Sequence, residues 1–544
     1  MKLKKFLPFI GIGTICLPMI TSCSSSTLNS FINKLKKDEK SIVKAKKIKH
    51  SIKNNRYDSE YYNVYPFNNK VSEFITENRT TYNFEEINQL LDYYNNNLFQ
   101  INLISNDDAL YVGAATPSAS GTNYESVWVR DSIWIYKLYK SFATIKPNYS
   151  NISKLLLIGI AKYFNTNKQI ERMYNAMNNP ASVLQDNMQG QMNAVHIRFS
   201  PYTLDDVYEN GKAQEWTHKQ NDALGLFLLE LFDAIQNNFL SINEINGMFK
   251  TIPGLIGYLN KLEYWSMEDS GSWEENTARR TSSIGLVTSA YEKFITLYES
   301  NDEFKSKYDA TINAEQILKA NANVDSVKDA ITKSYVFIHD SLVNGGECVS
   351  YQSTDAKYRQ ADAALLDLIY PCELSQLKYE DYTNIYKIVV DNLSTDYGVK
   401  RYLDDSYQSA NFWFNQNQTD IESQKTREKY YIKGSEASWF FNSWLAIADN
   451  VILNKFSSNM TQDDLLYFQD QIIVNMNKSL SQITSADYYE ANGNKCDKEK
   501  LPESINVIVS DSGDWYYLPS PINPLNWSIS SFGLAIQSLY EKIN

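Results

Sequence analysis

The chain has 544 residues, of which 43% are hydrophobic and 13% aromatic, enough for a large buried core. Its formal net charge is −12, and an acidic surface argues against nucleic acid as a partner. The five cysteines and four histidines form neither C-x-x-C nor H-E-x-x-H, so the sequence points to no zinc site, disulfide framework or Ser-His-Asp triad.

The first segment, "MKLKKFLPFIGIGTICLPMITSCSSS", has a basic start and then about fifteen mostly apolar residues before Ser22-Cys23. That is the form of a secretion signal, and it is too short for a spanning helix. The small residue before Cys23 and the serines after it resemble a bacterial lipoprotein cleavage site. The resemblance implies a signal peptide over 1–22 and a lipid on Cys23. The protein would then be anchored on the extracellular face of the cell membrane. Residues 23–75 are polar and partly basic, as in "NKLKKDEKSIVKAKKIKH", and read as a solvated tether. Residues 76–544 read as one domain.

Within that domain, apolar residues recur at helical spacing near 85–105, 126–143, 150–166, 220–236, 242–262 and 278–299. They recur again near 323–343, 360–370, 378–393, 436–455, 461–481 and 527–543. Strand alternation is confined to short hairpins near 345–352 and 505–518. Twelve helices predict an all-α fold, six α-hairpins closed into an (α/α)6 barrel. Long loops fall at 111–130, 186–220, 263–280, 395–435 and 494–526. Loops longer than about fifteen residues usually carry function.

One of them contains "GSWEENTARRTSSIG", where Trp273 precedes two adjacent carboxylates. Acids at a helix start are favoured by the dipole, so a solvated helix N-terminus is one reading. The other is an acid catalyst whose pKa is raised by an aromatic wall. Four further stretches join aromatics to charge beside a helix. They are "YESVWVRDSIW" (124–134), "EWTHKQNDALGLFLL" (215–229), "YGVKRYLDDSYQSANFWF" (397–414) and "LPESIN" with "INPLNWSISSFGLA" (501–506 and 522–535).

In order and spacing, these five stretches resemble the glucoamylase family, glycoside hydrolase family 15, and its relatives among phosphorylase kinase regulatory subunits. The resemblance covers roughly residues 105 to 540. It implies an inverting hydrolase with two glutamates about 6.5–9.5 Å apart, one protonating the leaving oxygen and one activating water. Adjacent Glu274 and Glu275 are too close to be that pair. By the resemblance Glu274 is the acid, Glu275 a substrate contact and Glu503 the base. Ser504 stands where the family often has Gln, and Glu436 in "KGSEASWFF" is the rival base or a helix N-terminal acid. Arg130 and Asp131 match the pair that grips the terminal sugar, unless they form a structural salt bridge at a helix start. Arg401 matches another sugar contact, and Trp216 and Asp222 match residues that line the cleft and support the acid. Trp128 and Trp413 are platforms or core.

The implied activity is release of β-glucose from non-reducing ends of α-glucans or α-glucosides by a monomer without cofactor or metal. The alternatives are a catalytically inactive sugar-binding surface lipoprotein, a phosphorylase-kinase-like regulatory module, or an enzyme of another (α/α)6 family.

Overall fold

The computed structural model describes residues 43–44, 71, 82–115, 123–409, 431–484, 488–491, 494–510, 512–520 and 522–543. The signal-like segment, Cys23 and Trp413 lie outside the described residues.

Each of the twelve expected helical segments contains a helical element. In chain order these are α1 (Phe84–Tyr93), α2 (Val129–Phe142), α3 (Asn148–Phe164), α4 (Asn221–Gln236), α5 (Thr251–Lys261) and α6 (Thr281–Ser300). Then come α7 (Val324–Asn344), a 3-10 helix (Ala363–Leu368), α8 (Tyr379–Leu393), α9 (Asn442–Phe456), α10 (Gln462–Ser481) and α11 (Asn526–Ile543). Packing closes a ring of six: α2 on α4, α4 on α6, α6 on the 3-10 helix, that helix on α9, α9 on α11, and α11 on α2. The other six lie outside it, each beside an inner partner. The architecture is the expected (α/α)6 barrel.

The two layers have different sequences because they meet different surroundings. Inner α4, "NDALGLFLLELFDAIQ", buries every residue from 221 to 235 except Asp233, as a helix apolar all round must. Outer α8 buries only Tyr382, Ile385, Tyr386, Val389, Val390 and Leu393, a single stripe at helical spacing. Local chemistry sets the ends. Asn83 and Glu86 form a capping box on α1. Asn323 caps α7, which stops at Gly345 with φ +99°, a conformation glycine adopts without strain.

Helices also occur where none was expected, at Asn167–Asn178, Ala181–Leu184, Met188–Asn193, Asp302–Asn313 and Gln316–Asn321. The first carries a legible pattern, since Gln169, Met173, Ala176 and Met177 are its buried residues. The fourth inner element is shorter than its neighbours and 3-10 in form. The strands expected near 345–352 reduce to a single bridge between Cys348 and Arg359.

The hairpin expected at 505–518 is present and larger than expected. With β1 (Val43–Lys44), β4 (Ser438–Trp439), β5 (Ser504–Val509) and β6 (Trp515–Pro519), the sheet order is β1-β6-β5-β4. Two further short strands, β2 (Val127–Trp128) and β3 (Arg198–Phe199), pair with each other. The segment read as a solvated tether therefore touches the body at two points. Val43 and Lys44 pair with Tyr517 and Tyr516, and Val71 is fully buried.

Because inner and outer helices alternate along the chain, all inner helices run the same way. Their N-termini gather at one end of the barrel, and the charged aromatic loops lead into them.

Candidate active site

Glu274 sits in a tight turn ahead of α6. The Glu274 amide donates to the Gly271 carbonyl (3.2 Å) and the Glu275 amide to that of Ser270 (3.4 Å). Glu274 has φ +60°, the left-handed region, which costs a non-glycine residue on the order of 1–3 kcal/mol and persists only where surroundings hold it. The segment before α4 does the holding. Thr217 Oγ1 donates to the Glu274 carbonyl (3.0 Å), and Trp216 Nε1 donates to its carboxylate (2.9 Å). Burial raises the Glu274 pKa. Arg130, the Trp128 side chain, Arg198 and Gln220 pull it back without cancelling the rise.

Arg130 and Asp131 occupy the first turn of α2, and both are buried. Arg130 does not pair with Asp131. Its Nε donates to Asp222 (2.6 Å), in the first turn of α4, and one Nη donates to Gln220 (2.5 Å) and the Gly271 carbonyl (3.3 Å). The other Nη lies 3.6 Å from Glu274 Oε1. Asp222 Oδ2 also accepts from Ser272, while buried Asp222 Oδ1 has no partner among the described residues. Burial lifts Asp131 to about 7, against the pull of Arg130 and with help from Glu274.

Glu503 immediately precedes β5. The two halves of its motif are zipped together: the Glu503 amide donates to Ile522 (2.9 Å), the Leu525 amide to Leu501 (3.1 Å), and Ser528 Oγ to the Pro502 carbonyl (2.9 Å). The long gap between those halves is the β5–β6 hairpin. The carboxylate accepts from Tyr124 (3.1 Å), Tyr407 (3.4 Å) and Gln408 Nε2. Burial raises its pKa to about 7, although Tyr124, Arg401, Gln408 and Tyr407 favour the ionised form.

Glu275 has another fate. It accepts from Arg401 (2.9 Å) and Tyr402 (2.5 Å), with Arg359 at 3.6 Å. Arg401 is also bound by both oxygens of Asp405 (2.7 and 2.8 Å). Glu436 accepts from Lys400 (2.8 Å), Tyr431 (2.7 Å) and the Asp404 amide (3.0 Å), so it braces two loops. Burial acts to raise its pKa, but Lys400 and Tyr431 outweigh burial and hold it low.

An aromatic chain joins the two raised carboxylates. Tyr124, bonded to Glu503, packs on Trp128 (5.7 Å between centroids), and Trp128 packs edge-on against Trp216 (5.9 Å), which is bonded to Glu274. The wall expected from Trp273 is therefore built by Trp216 and Trp128. Trp273 donates its indole N–H to Asp362 (2.9 Å) and packs among Trp439, Phe441 and Trp527. The solvated-helix reading of 271–285 also fails, since α6 starts only at Thr281 and Glu275 is buried. Sequence reasoning did not single out Tyr124, Tyr407 or Gln408. All three lie within the motif stretches, four residues before Trp128 and just past Asp405, but nothing in a single sequence marks them as partners of Glu503.

No helix among the described residues is long and apolar enough to cross a membrane. The chain is 40% identical over 157 residues to the lipoprotein YgeQ of Escherichia coli (strain K12), covering 28% of this chain and 57% of that protein. It is 49% identical over 47 residues to the putative protein YgeP of the same organism, covering 9% and 48%. The chain thus spans about half the length of the curated relatives it matches. A solved glycosidase superposes with a TM-score of 0.50 at 13% identity, over 84% of this chain and 99% of that one, a likeness of fold. The glucoamylase from Saccharomycopsis fibuligera gives 0.46 at 15% identity, over 85% and 95%. The model of the glycosyl hydrolases family 15 matches residues 91–501, about three quarters of the chain, ending two residues short of Glu503. The chain belongs to glycosyl hydrolase family 15.

Proposed function

We propose that the protein is an inverting, exo-acting glycoside hydrolase that releases β-glucose from non-reducing ends of α-glucans or α-glucosides. One observation carries the reading. Of the four candidate glutamates, Glu274 and Glu503 have pKa values raised by burial and are joined by one aromatic chain, while Glu275 and Glu436 accept hydrogen bonds from Arg401 and Lys400.

In this reading Glu274, whose protonated form burial favours, gives its proton to the glycosidic oxygen. Glu503, oriented by two phenols and an amide, takes a proton from the water that attacks C1 from the opposite face. Inversion follows from that single displacement. Arg130 and Asp131 hold hydroxyls of the terminal sugar. Arg401 and Glu275 are already satisfied by each other and by Asp405, so they shape the pocket and contact sugar only through what they leave exposed. Trp216 orients Glu274, and Asp222 aligns Arg130.

The test is a purified protein offered maltose, isomaltose, trehalose, dextran and starch, with proton NMR read seconds after mixing. The β-anomer is expected as the first product. An α-anomer would exclude the inverting mechanism. No hydrolysis of any of these, with sugar still bound, would favour the inactive binding lipoprotein.

The sequence around Cys23 and the likeness to a lipoprotein support a lipid anchor on the outer membrane face. Cys23→Ser should release the protein into the medium or block its processing. Unchanged detergent-dependent membrane association in that variant would refute the anchor.

A further inference from the structure

Behind the wall lies a charged side chain that the proposed reaction does not use. Arg198, in β3, faces Trp128 across the β2–β3 pair and is 2% exposed. Its guanidinium carbon sits 4.7 Å from the ring centroid of Trp128 and 4.3 Å from that of Trp216, so one cation rests against both indoles. Its hydrogen bonds go to neutral acceptors, Gln214 Oε1 (2.7 Å) and Ser126 Oγ (3.3 Å), and its buried Nε has no partner. Among the described residues no carboxylate lies within ion-pair distance of it. A buried guanidinium without a counter-charge is costly, and the indole faces offset only part of that cost. Such a residue persists where its charge is used.

We propose that Arg198 is a positioning residue for the acid: it clamps Trp128 and Trp216 and places a fixed positive charge behind Glu274. This rests on the reading of Glu274 as general acid. The groups acting on Glu274 come from four elements. Arg130 and Asp131 face it from α2, Trp128 from β2, the neutral donors Trp216 and Gln220 from the segment before α4, and Arg198 from β3. Near Arg198, His218 stacks on His196 (3.5 Å between centroids), and His196 Nδ1 is bonded to Asp206, which Arg172 also holds. Burial and neighbouring cations lower the His218 pKa, so it adds no charge near neutrality. Arg198 and Arg130 are thus the cations that stabilise ionised Glu274, and both limit how far burial raises it. Arg130 is committed to Asp222, whereas Arg198 has no such partner.

The sign follows directly. Removing the Arg198 charge disfavours ionised Glu274, so Glu274 holds its proton to higher pH. The test is titration of ¹³C-labelled glutamate carboxyls by NMR, with the Glu274 signal identified by its loss in Glu274→Gln. In Arg198→Met the Glu274 titration should move to higher pH, and in Arg198→Lys it should stay near the wild-type position. On a hydrolysed substrate, Arg198→Met should lose about 10–10²-fold in kcat from misplaced indoles, with the Glu274 limb of the pH profile displaced upward. If Arg198→Met does not fold, the wild type supplies the measurement: the Arg198 guanidinium ¹⁵N signals should shift in step with Glu274 and stay fixed in Glu274→Gln. An unmoved Glu274 titration in folded Arg198→Met, or guanidinium signals indifferent to Glu274, overturns the proposal. The titrations need no turnover, so an inactive wild type would sink the functional reading and leave this result to be judged by itself.

Discussion

Two regions meet at the mouth of the barrel, and both draw glutamates out of bulk water. One is the pocket around Glu274 and Glu503, where phenols, indoles and amides donate to the carboxylates and Arg130 lies 3.6 Å from Glu274. The other is the cation-rich cluster around Arg401 and Lys400, which takes Glu275 and Glu436. Burial acts on Glu274, Glu503 and Glu436 alike, and the neighbours decide the outcome. Hydroxyl and amide donors orient Glu503 while leaving its pKa at about 7, whereas Lys400 and Tyr431 hold Glu436 low. Adjacent Glu274 and Glu275 fall on opposite sides of this divide because the left-handed backbone at Glu274 turns the chain between them. A carboxyl bonded to an indole and one bonded to a guanidinium are thus made from the same residue type, one position apart.

The sharpest way to break this comparison is to neutralise the pocket pair. Glu274→Gln and Glu503→Gln should each lower kcat by about 10²–10⁴-fold while calorimetry still shows sugar binding. Full activity in Glu503→Gln would transfer the base to another carboxylate, with Glu436 first in line. The cluster should answer in stability. Arg401→Met leaves Glu275 and Asp405 buried without their shared cation and should cost about 3–5 kcal/mol in urea unfolding. A loss under about 1 kcal/mol would mean those acids are neutral in the folded protein.

Stability against pH separates the regions further. The folded-state pKa of Glu503 lies above its ordinary value of 4.5, at about 7. The folded protein therefore holds a proton that the unfolded chain has released, and this group's contribution falls as pH rises from about 4.5 to 7. Glu503→Gln removes that ionisation. Relative to wild type, it should gain stability between pH 5 and pH 8, on the order of 3 kcal/mol at most. A difference independent of pH would place the folded pKa of Glu503 in the ordinary range. Glu436→Gln should show the opposite trend with the smallest effect on rate. Its lowered pKa gives stability above the unfolded value that is lost as the carboxylate protonates at low pH. The variant should lose about 1–3 kcal/mol at pH 7, less at pH 4, and keep kcat within about tenfold of wild type.

Much of this was legible in the chain. The apolar stripe of α8 and the wholly apolar run of α4 announce outer and inner helices because helical spacing records which faces leave water. Arg130, Trp216, Glu274, Arg401 and Glu503 stand in local motifs that can be read in one dimension, and the fold links Arg130 and Trp216 to Glu274 and, through Tyr407, Arg401 to Glu503. The short fourth inner helix was less legible, since six residues of "AALLDL" hold no full helical repeat. The strand pairing of Val43–Lys44 was hidden because its partner, Tyr516–Tyr517, lies at the far end of the chain.

By itself the sequence determined the alternation of helix and loop, the end of the barrel where charge collects, and the candidate glutamates, because periodicity and motif are properties of neighbours in the chain. Only the tertiary structure decided which glutamate meets a cation and which a phenol. It also decided that Trp216 rather than Trp273 covers Glu274, and that Arg198 stands behind both indoles. Those outcomes depend on residues 58, 76 and more positions away. Electrostatics and desolvation act through space, and no local pattern records what burial will place beside a side chain.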